Sequence, residues 1–489
     1  MSQATENRLT SLIPMPKKIT KVTGEFTITG IRASHVPFET FTETFCTSIE
    51  KLFDRKLISS GTGNVILSCD TSLPKGKYVL DTLGDEAILS ACDSEGISYA
   101  IATLISLAVL NNDTLLVQKA RIEDDPDKDY RAIMVDLARE WHPARQIFHY
   151  IDLCFMLKIH YLHLHFIDTE RYTLPSKVLP DLTKNNRHYT FEDIESFRKY
   201  ANARGIILVP EFEVPGHARA MIKAYPEIFG LKLTGNHEEA KITTESGEVI
   251  SADNIICAGN PECENAVKAL LAEICEMFPE TPYIHIGGDE ANIKAWNYCT
   301  DCIKYMEDNG ISDVKELYSE FTGRIAQCVL DLGRTPIVWE GFPKEGIHHI
   351  PKDTIVIAWE SHYHMSYDLL AEGFRIINAS WQPLYIVNSY TLRWNSSHIY
   401  NWDVYNWQHW WGNSEATLNP IHVQPTDQVL GAQICSWQCT YDQEISELVE
   451  NTAALSERTW NTRRRCPYNQ FAAKMNSFLH RLYRFMQDV

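Results

Sequence analysis

Long hydrophobic runs and clusters of basic residues are both missing from this sequence. None of its apolar segments is long enough to span a bilayer, so no membrane span is expected. The formal net charge is −19, the pI is about 5.4 and there is no stripe of lysine and arginine, so nucleic acid is not an expected partner. The first residues, "MSQATENRLTSLIPMPKK", lack the pattern of a signal peptide. We therefore expect a cytoplasmic enzyme, or a catalytic domain cut from a longer secreted protein.

A complete disulfide framework is also missing, because the 13 cysteines are an odd number in a long chain. The only Cys-x-x-Cys pair is formed by Cys299 and Cys302. A structural zinc site needs four ligands, so this pair alone is weak support for a metal or a redox function. We expect ordinary structural cysteines here, with no metal and no cofactor.

Residues 1–126 have the pattern of a small α+β domain. Short strands ("GEFTIT", "NVILSC", "KYVLDTL" and "AILSACD") precede a helical stretch from Gly96 to Leu110. The charged, proline-containing segment "EDDPDKD" then predicts a boundary, after which residues 127–489 form the second domain.

Eight apolar runs rich in β-branched residues follow, most of them separated by helix-like stretches. This alternation indicates a parallel sheet buried on both faces, and eight units in about 360 residues predict an α/β fold of the (β/α)8 TIM-barrel type. A doubly wound sheet is the alternative, but it usually has a glycine-rich loop after its first strand, where this chain has "DLAREWHP". The longest insertions follow strands three and seven. The runs cover 132–138, 160–168, 205–213, 282–290, 335–342, 354–360, 375–380 and 429–437.

The ends of these strands carry the residues that indicate a function, because active sites of TIM barrels lie at the C-terminal strand ends. Carboxylates, one arginine and a ring of tryptophans are typical of a sugar site, since sugars present C–H faces to aromatic rings and hydroxyls to charged groups. The strand-end residues are Asp136, Arg139, His163, His165, Asp168, Glu211, Glu213, His217, His285, Asp289, Glu290, Trp339, Trp359, Tyr385 and Trp437.

Several of these motifs together resemble glycoside hydrolase family 20, the β-N-acetylhexosaminidases. "RAIMVDLARE", "LHLHFID", "PEFEVPGHA" and "HIGGDEA" resemble the first four barrel strands of that family. "IPMPKKI", "GKYVLDT" and "EGISYAIATLISL" resemble the small domain that precedes its barrel. The resemblance covers nearly the whole chain. It implies an exo-acting, retaining enzyme that removes terminal GlcNAc or GalNAc from an oligosaccharide or glycolipid.

The resemblance also implies a role for each site residue. Catalysis in the family is substrate-assisted: the 2-acetamido oxygen attacks the anomeric carbon and forms an oxazolinium ion, an exception to the usual carboxylate pair. Glu290 would be the general acid and then the base, and Asp289 would hold the acetamido N–H. Tyr385 would orient the acetamido oxygen towards the anomeric carbon, and three tryptophans would enclose the methyl group of the acetamido substituent. Arg139 would grip the C3 and C4 hydroxyls, and Asp168 and His217 would tune Glu290 from behind. The three tryptophans are Trp339, Trp359 and Trp437.

The adjacent acids of "HIGGDE" lead to three further expectations. Burial and the charge of Asp289 should raise the pKa of Glu290, as a general acid near neutral pH requires. Asp289 should stay ionised, because an anion stabilises an oxazolinium ion. Gly287 and Gly288 should leave room for a sugar against the strand end. The alternative for the two acids is a plain helix N-terminal turn, where acids are favoured.

Two positions differ from the family pattern. The family usually has an aspartate where this chain has Val387, and a glutamate where it has Cys439; both acids bind the C4 and C6 hydroxyls in relatives. Asn388, Gln438 or the Trp-rich segment 394–411 could replace them. We expect loose discrimination between GlcNAc and GalNAc. The Trp-rich segment itself could be a platform for the group that leaves, a dimer contact, or a loop folded on itself.

Other functions remain open on the same barrel. His163 and His165 lie on one strand face, and with His217 and Asp289 they could form the metal site of a hydrolase. A sugar-binding module without turnover is a second alternative, although such modules lose their acid and this chain keeps both carboxylates. Release of a disaccharide, in a deeper pocket, is the third.

Overall fold

Eight parallel strands close into a barrel in the computed structural model, which describes residues 8–57, 59, 61–184, 186–234, 241–243, 247–387, 392–463 and 466–487. Each strand pairs in parallel with the next, and the eighth pairs with both the seventh and the first. The predicted TIM barrel and all eight predicted strands are therefore confirmed. The strands are β1 (Tyr130–Asp136), β2 (Tyr161–His165), β3 (Ile207–Glu211), β4 (Tyr283–His285), β5 (Thr335–Trp339), β6 (Ile355–Ala358), β7 (Arg375–Asn378) and β8 (Val429–Trp437).

Helices cover the outer face of the barrel, which explains why its strands are apolar on both faces. In β1, for example, all seven residues are buried. Among the described residues, β5 is followed by a short 3-10 helix instead of an α-helix. The covering helices are Ala144–Met156, Phe191–Asn202, Pro261–Met277, Thr300–Asn309, Val314–Asp331, Ser366–Ala371, Tyr441–Trp460 and Tyr468–Met486, and the 3-10 helix is Ile347–His349. No helix in these ranges is both long and apolar enough to cross a membrane.

Short elements fill the two long insertions. After β3 come the helices Arg219–Ala224 and Pro226–Phe229 and the strands Lys241–Thr243 and Val249–Ser251. After β7 come the helices Trp381–Leu384, Ser396–Asn401 and Glu415–Leu418 and the strands Tyr385–Val387, Asn406–Trp407 and Ile421–His422. The strand Tyr385–Val387 pairs with the last residues of β8, so it brings the second insertion to the C-terminal end of the barrel.

The N-terminal region is a mixed sheet with helices on it. Its strands, in spatial order, are Lys18–Ile28, Thr114–Asp124, Tyr78–Asp81, Ala87–Ala91, Val65–Cys69 and Ile31–Ala33, and Val109–Asn111 also pairs with Thr114–Asp124. The predicted helix is observed at Ser94–Leu107, where the Asp93 side chain caps the N–H of Gly96. The sequence reasoning missed a second helix, Glu39–Phe53.

Asp124 joins this region to the barrel. Its buried carboxylate accepts hydrogen bonds from the Tyr78 hydroxyl at 2.9 Å and the Trp460 indole at 2.9 Å. The Lys158 ammonium, just before β2, lies 3.4 Å away. Arg131, at the start of β1, is also buried and pairs with Glu95 of the N-terminal region at 3.3 Å. These contacts lie near the N-terminal strand ends, so the C-terminal ends are left open for a site.

Candidate active site

The C-terminal strand ends surround one pocket. The structure brings seven of the nine predicted site residues into its wall, and the other two, Asp168 and His217, lie behind Glu290. The lining residues are Arg139, Asp289, Glu290, Trp339, Trp359, Trp381, Tyr385, Val387, Trp437 and Gln438.

A tight turn after β4 presents the two adjacent acids. Gly287 and Gly288 have φ of +69° and +93°, in the left-handed region that favours glycine. A Cβ on Gly287 would lie about 2 Å from the Glu213 carboxylate, and Glu213 also accepts the Gly288 N–H at 3.1 Å. Neither glycine lines the pocket. The expectation that they leave room for a sugar is wrong: they allow the turn to pass against Glu213.

A chain of charged groups runs behind the turn. His217 Nδ1 lies 3.1 Å from Asp168 Oδ1, and its Nε2 lies 3.4 Å from Glu290 Oε2. The Arg139 Nη2 atom lies 2.7 Å from the other Asp168 oxygen. Both His217 and Glu290 have positive φ, +50° and +46°, which is uncommon for non-glycine residues and is often found at functional sites. Asp168 and His217 are thus placed to orient the Glu290 side chain and to influence its protonation.

The charges of this chain follow from its contacts. Burial works to raise the pKa of Asp168, but the hydrogen bond and charge of His217, with Arg139, hold that pKa well below its ordinary value. Burial opposes protonation of His217, yet its hydrogen bonds to Asp168 and Glu290 raise its pKa well above the usual one. Asp168 is therefore an anion and His217 a cation around neutral pH.

The electrostatics of the structure contradict the expected charges of the two adjacent acids. The hydrogen bond from His217 lowers the pKa of Glu290, whose side chain is 56% exposed. Burial, with the charges of Glu290 and Glu211, raises the pKa of Asp289 to about 7. The prediction failed because the hydrogen bond from His217 stabilises the anion of Glu290, whereas the Asp289 carboxyl is buried with one oxygen unpartnered among the described residues. Asp289 Oδ1 has no hydrogen-bond partner among the described residues.

Aromatic rings form the opposite wall. The Trp339 and Trp359 rings meet at 6.3 Å and 70°, and Trp339 lies 5.8 Å from Trp437. Tyr385 is nearly parallel to Trp359, with ring centroids 6.0 Å apart and an interplanar angle of 12°. Hydrogen bonds orient the indoles: Trp339 donates to Glu211 at 2.6 Å and Trp359 to the Glu340 carbonyl at 2.7 Å. The wall is therefore rigid and apolar.

Trp381 is a lining residue that the sequence reasoning missed. Its ring stacks on Tyr385 with centroids 4.2 Å apart. Trp339, Trp359 and Trp437 were predicted from their positions at the ends of strands. Trp381 directly follows the predicted seventh strand, so the same reasoning applied one residue further would have found it.

The two positions that differ from the family pattern have different surroundings. Val387 lines the pocket, whereas the buried Cys439 does not and donates its thiol to the Trp437 carbonyl at 3.1 Å. Gln438 lines the pocket, and Asp136 fixes its backbone through the Gln438 N–H at 3.2 Å. Of the proposed replacements, Gln438 is therefore well placed, and Asn388 lies outside the described residues.

The Trp-rich segment 394–411 is mostly a loop folded on itself and on the barrel. Trp394, Tyr400, Trp402 and Trp407 are buried, and Trp407 donates to the Ala358 carbonyl at 3.0 Å. Only the end of the segment comes near the pocket, where the Trp410 ring meets Trp381 edge-on at 5.9 Å. A platform for the leaving group therefore stays a prediction, and it would have to rest on the end of the segment.

The two histidines of β2, His163 and His165, lie inside the barrel beneath the pocket and contact residues that hold the pocket wall. His163 Nε2 lies 3.0 Å from Glu211, and the His163 ring stacks under Trp339 at 6.0 Å. His165 lies 3.2 Å from Asp136. Both side chains are buried, and neither lines the pocket, so the geometry does not support a metal hydrolase that uses this pair at the pocket surface.

The fold is a closed TIM barrel, and its pocket combines two adjacent acids, one arginine and aromatic walls. Such a pocket is suited to binding a sugar. A comparison with known families agrees: the profile of "Glycosyl hydrolase family 20, catalytic domain" matches residues 129–463. The chain belongs to this family, and the predicted membership is confirmed.

Individual relatives support the same assignment. The beta-hexosaminidase of Vibrio furnissii is 29% identical over 412 residues, which cover 78% of this chain and 65% of that protein. The beta-hexosaminidase of Porphyromonas gingivalis is 27% identical over 392 residues, which cover 71% of this chain and 47% of that protein. The chain thus spans between about half and two thirds of the length of these two relatives.

Solved structures share the fold. An exo beta-N-acetylglucosaminidase from Vibrio harveyi in complex with N-acetylglucosamine superposes with a TM-score of 0.83 at 23% identity, covering 97% of this chain and 77% of that one. A beta-N-acetylhexosaminidase from Bacteroides fragilis superposes with a TM-score of 0.80 at 23% identity, covering 97% and 96%.

Proposed function

We propose that this protein is an exo-acting, retaining β-N-acetylhexosaminidase that removes terminal non-reducing GlcNAc or GalNAc from a glycan or glycoconjugate by substrate-assisted catalysis. The observation that carries the proposal is a buried carboxylate oxygen without a partner, Asp289 Oδ1, beside the acid Glu290 and its histidine. A buried acceptor of this kind calls for a donor, and the acetamido N–H of the substrate is such a donor.

The nucleophile belongs to the substrate because Asp289 and Glu290 are consecutive residues after one strand, β4, so both carboxylates reach the sugar from the same strand end. One oxygen each of Asp289 and Glu290 and one nitrogen of His217 lie within 4.8 Å of one another. An ordinary retaining pair works from opposite faces of the sugar ring. Here the acetamido oxygen bonds to the anomeric carbon while the glycosidic bond breaks and Glu290 gives its proton to the leaving oxygen. Glu290 then takes a proton from the water that opens the oxazolinium ion, with net retention.

Substrate binding would exchange the protonation states of the two acids. The acetamido N–H donates to Asp289 and favours its anion, which stabilises the oxazolinium ion. The sugar covers the exposed carboxyl of Glu290 and excludes water, which raises its pKa and lets it take up the proton it must donate. Before the sugar binds, the proton would therefore favour Asp289, the neighbour of the residue that uses it.

The remaining lining residues orient the sugar. Tyr385 donates its hydroxyl to the acetamido oxygen, and the rings of Trp339, Trp359 and Trp437 enclose the methyl group. The Arg139 guanidinium lies 5.0 Å above the Trp437 ring and is fixed by Asp168, so its remaining N–H groups can bind the C3 and C4 hydroxyls. A cavity of about 190 Å³ is small beside the 300–1,000 Å³ usual for drug-sized ligands, which favours one sugar over a disaccharide.

The test is parallel turnover of the p-nitrophenyl glycosides of GlcNAc, GalNAc and lacto-N-bioside. We expect cleavage of the first two, retained anomeric configuration, and tight inhibition by a thiazoline analogue of the oxazoline. Cleavage of lacto-N-bioside alone would favour the disaccharide-releasing alternative. Binding without turnover of any of the three would contradict the proposal.

A further inference from the structure

Three buried cysteine thiols meet beside the active-site loops. Cys257 Sγ lies 3.5 Å from Cys299 Sγ and 3.7 Å from Cys302 Sγ, and all three sulfurs lie within 4.8 Å of one another. We call Cys257, Cys299 and Cys302 the three-cysteine cluster. Cys257 precedes the helix Pro261–Met277, whereas the other two flank the start of the helix Thr300–Asn309. The cluster thus joins the insertion after β3 to the loop after β4.

We propose that the three-cysteine cluster binds a structural zinc ion through three thiolates. Zinc binds thiolates at about 2.3 Å in tetrahedral geometry, which places neighbouring sulfurs about 3.8 Å apart. The observed distances of 3.5 and 3.7 Å are close to that spacing. Among the described residues no fourth side chain completes the group, so the proposal assigns no residue to the fourth position.

The arrangement of the sulfurs suits a cation at their centre. All three cysteines are buried, and Cys257 Sγ contacts both of the others. A bound cation would hold the three side chains as thiolates, and their protons would be released when it binds. A disulfide explains this arrangement less well than a metal ion, because it would join two of the sulfurs and leave the third as a free thiol.

The backbone is built to bring the two segments together. A Cβ on Gly259 would lie 2.3 Å from the Asp301 carbonyl and 2.7 Å from Cys302 Cα, so only glycine fits between the cysteines. The Trp296 indole also donates to the Ile256 carbonyl at 2.9 Å. The metal would cross-link the two segments, which the packing already holds close together. We call this cross-link the clamp.

The clamp connects with the active site through Asn254. Its side-chain oxygen accepts the Thr169 hydroxyl at 2.9 Å and the Arg219 N–H at 3.1 Å, close to Asp168 and His217. The segment 291–298, most of which is the 3-10 helix Ile293–Tyr298, leads from Glu290 to the cluster. Loss of the metal should therefore loosen the groups that hold Glu290, without touching the pocket directly.

The experiment is metal analysis of the full chain, purified without chelators under reducing conditions. We expect about one zinc per chain by mass spectrometry, released when a mercurial blocks the thiols. Cys299→Ser/Cys302→Ser should hold at least tenfold less zinc and have a lower Tm, whereas Cys154→Ser, which removes a buried thiol elsewhere, should keep it.

Cobalt substitution tests the site without any variant. Co²⁺ bound to wild-type protein should show the charge-transfer absorption of thiolate ligands, and added Zn²⁺ should abolish it. Wild-type protein that binds less than about a tenth of an equivalent of zinc after incubation and desalting overturns the proposal. So does equal zinc in the double variant, or a disulfide between Cys257 and either partner in a non-reducing peptide map.

Discussion

Asp289→Asn should stabilise the fold at alkaline pH while it destroys activity. The carboxyl of Asp289 is buried, and its pKa is raised from 3.8 to about 7. The folded state therefore binds this proton more tightly than the unfolded state, and stability is lost as pH rises from about 4 to about 7. Asparagine carries no charge at any pH, so it removes this loss.

The size of the effect follows from the pKa difference. A rise from 3.8 to about 7, at about 1.4 kcal/mol per pH unit, amounts to about 4 kcal/mol at pH 8. At pH 5 the folded carboxyl is protonated and the penalty falls to about 2 kcal/mol. The stability of the variant relative to wild type should therefore rise by about 2 kcal/mol between pH 5 and pH 8. The rate should move the other way, with kcat about 10²–10³-fold lower, as for other lost electrostatic stabilisers.

Urea unfolding at pH 5 and pH 8, followed by tryptophan fluorescence, measures the first quantity, and turnover of p-nitrophenyl GlcNAc measures the second. Asp353→Asn, the same substitution at an exposed position, is the matched control. A variant that is destabilised equally at both pH values would refute the reasoning about Asp289.

Three further predictions concern the pocket. Glu290→Gln should lower kcat by about 10²–10⁴-fold, most strongly for poor leaving groups; wild-type rates on a natural glycan would show that another residue is the acid. Arg139→Lys should reduce kcat/KM by about 10–100-fold, because an ammonium cannot keep both the contact with Asp168 and those to paired hydroxyls; an unchanged kcat/KM would remove Arg139 from the sugar site. The GlcNAc/GalNAc ratio of kcat/KM should stay below about a hundred, or about 2.7 kcal/mol, and Val387→Asp should change it; a higher wild-type ratio would contradict loose discrimination.

The barrel could be predicted from the sequence because each buried strand has its own apolar run. A run such as "TIVIAWE" is local, and it marks the position of Trp359 at the strand end without any knowledge of its neighbours. Resemblance to one family then identified Asp289 and Glu290 as a pair. Trp381 could have been found by the same reasoning, since it directly follows the predicted seventh run, 375–380.

Charges and long-range contacts could not be predicted in this way. The protonation of Asp289 and Glu290 depends on which carboxyl faces solvent, and that depends on the positive φ of Glu290 and the position of His217. The role of Gly287 depends on Glu213, which comes from another strand. Cys257 meets Cys299 only because the insertion after β3 packs against the loop after β4, so the Cys-x-x-Cys pair looked incomplete in the sequence.

The carboxylate of Asp124 has a consequence for how the molecule unfolds. Removal of the N-terminal region would take this shared acceptor from the Lys158 ammonium and the Trp460 indole, and it would expose to water the barrel surface that is buried around them in the intact chain. The barrel should therefore be difficult to produce as a separate fragment. Intact protein should melt in one cooperative transition, with the N-terminal sheet as stable towards hydrogen exchange as the barrel strands themselves.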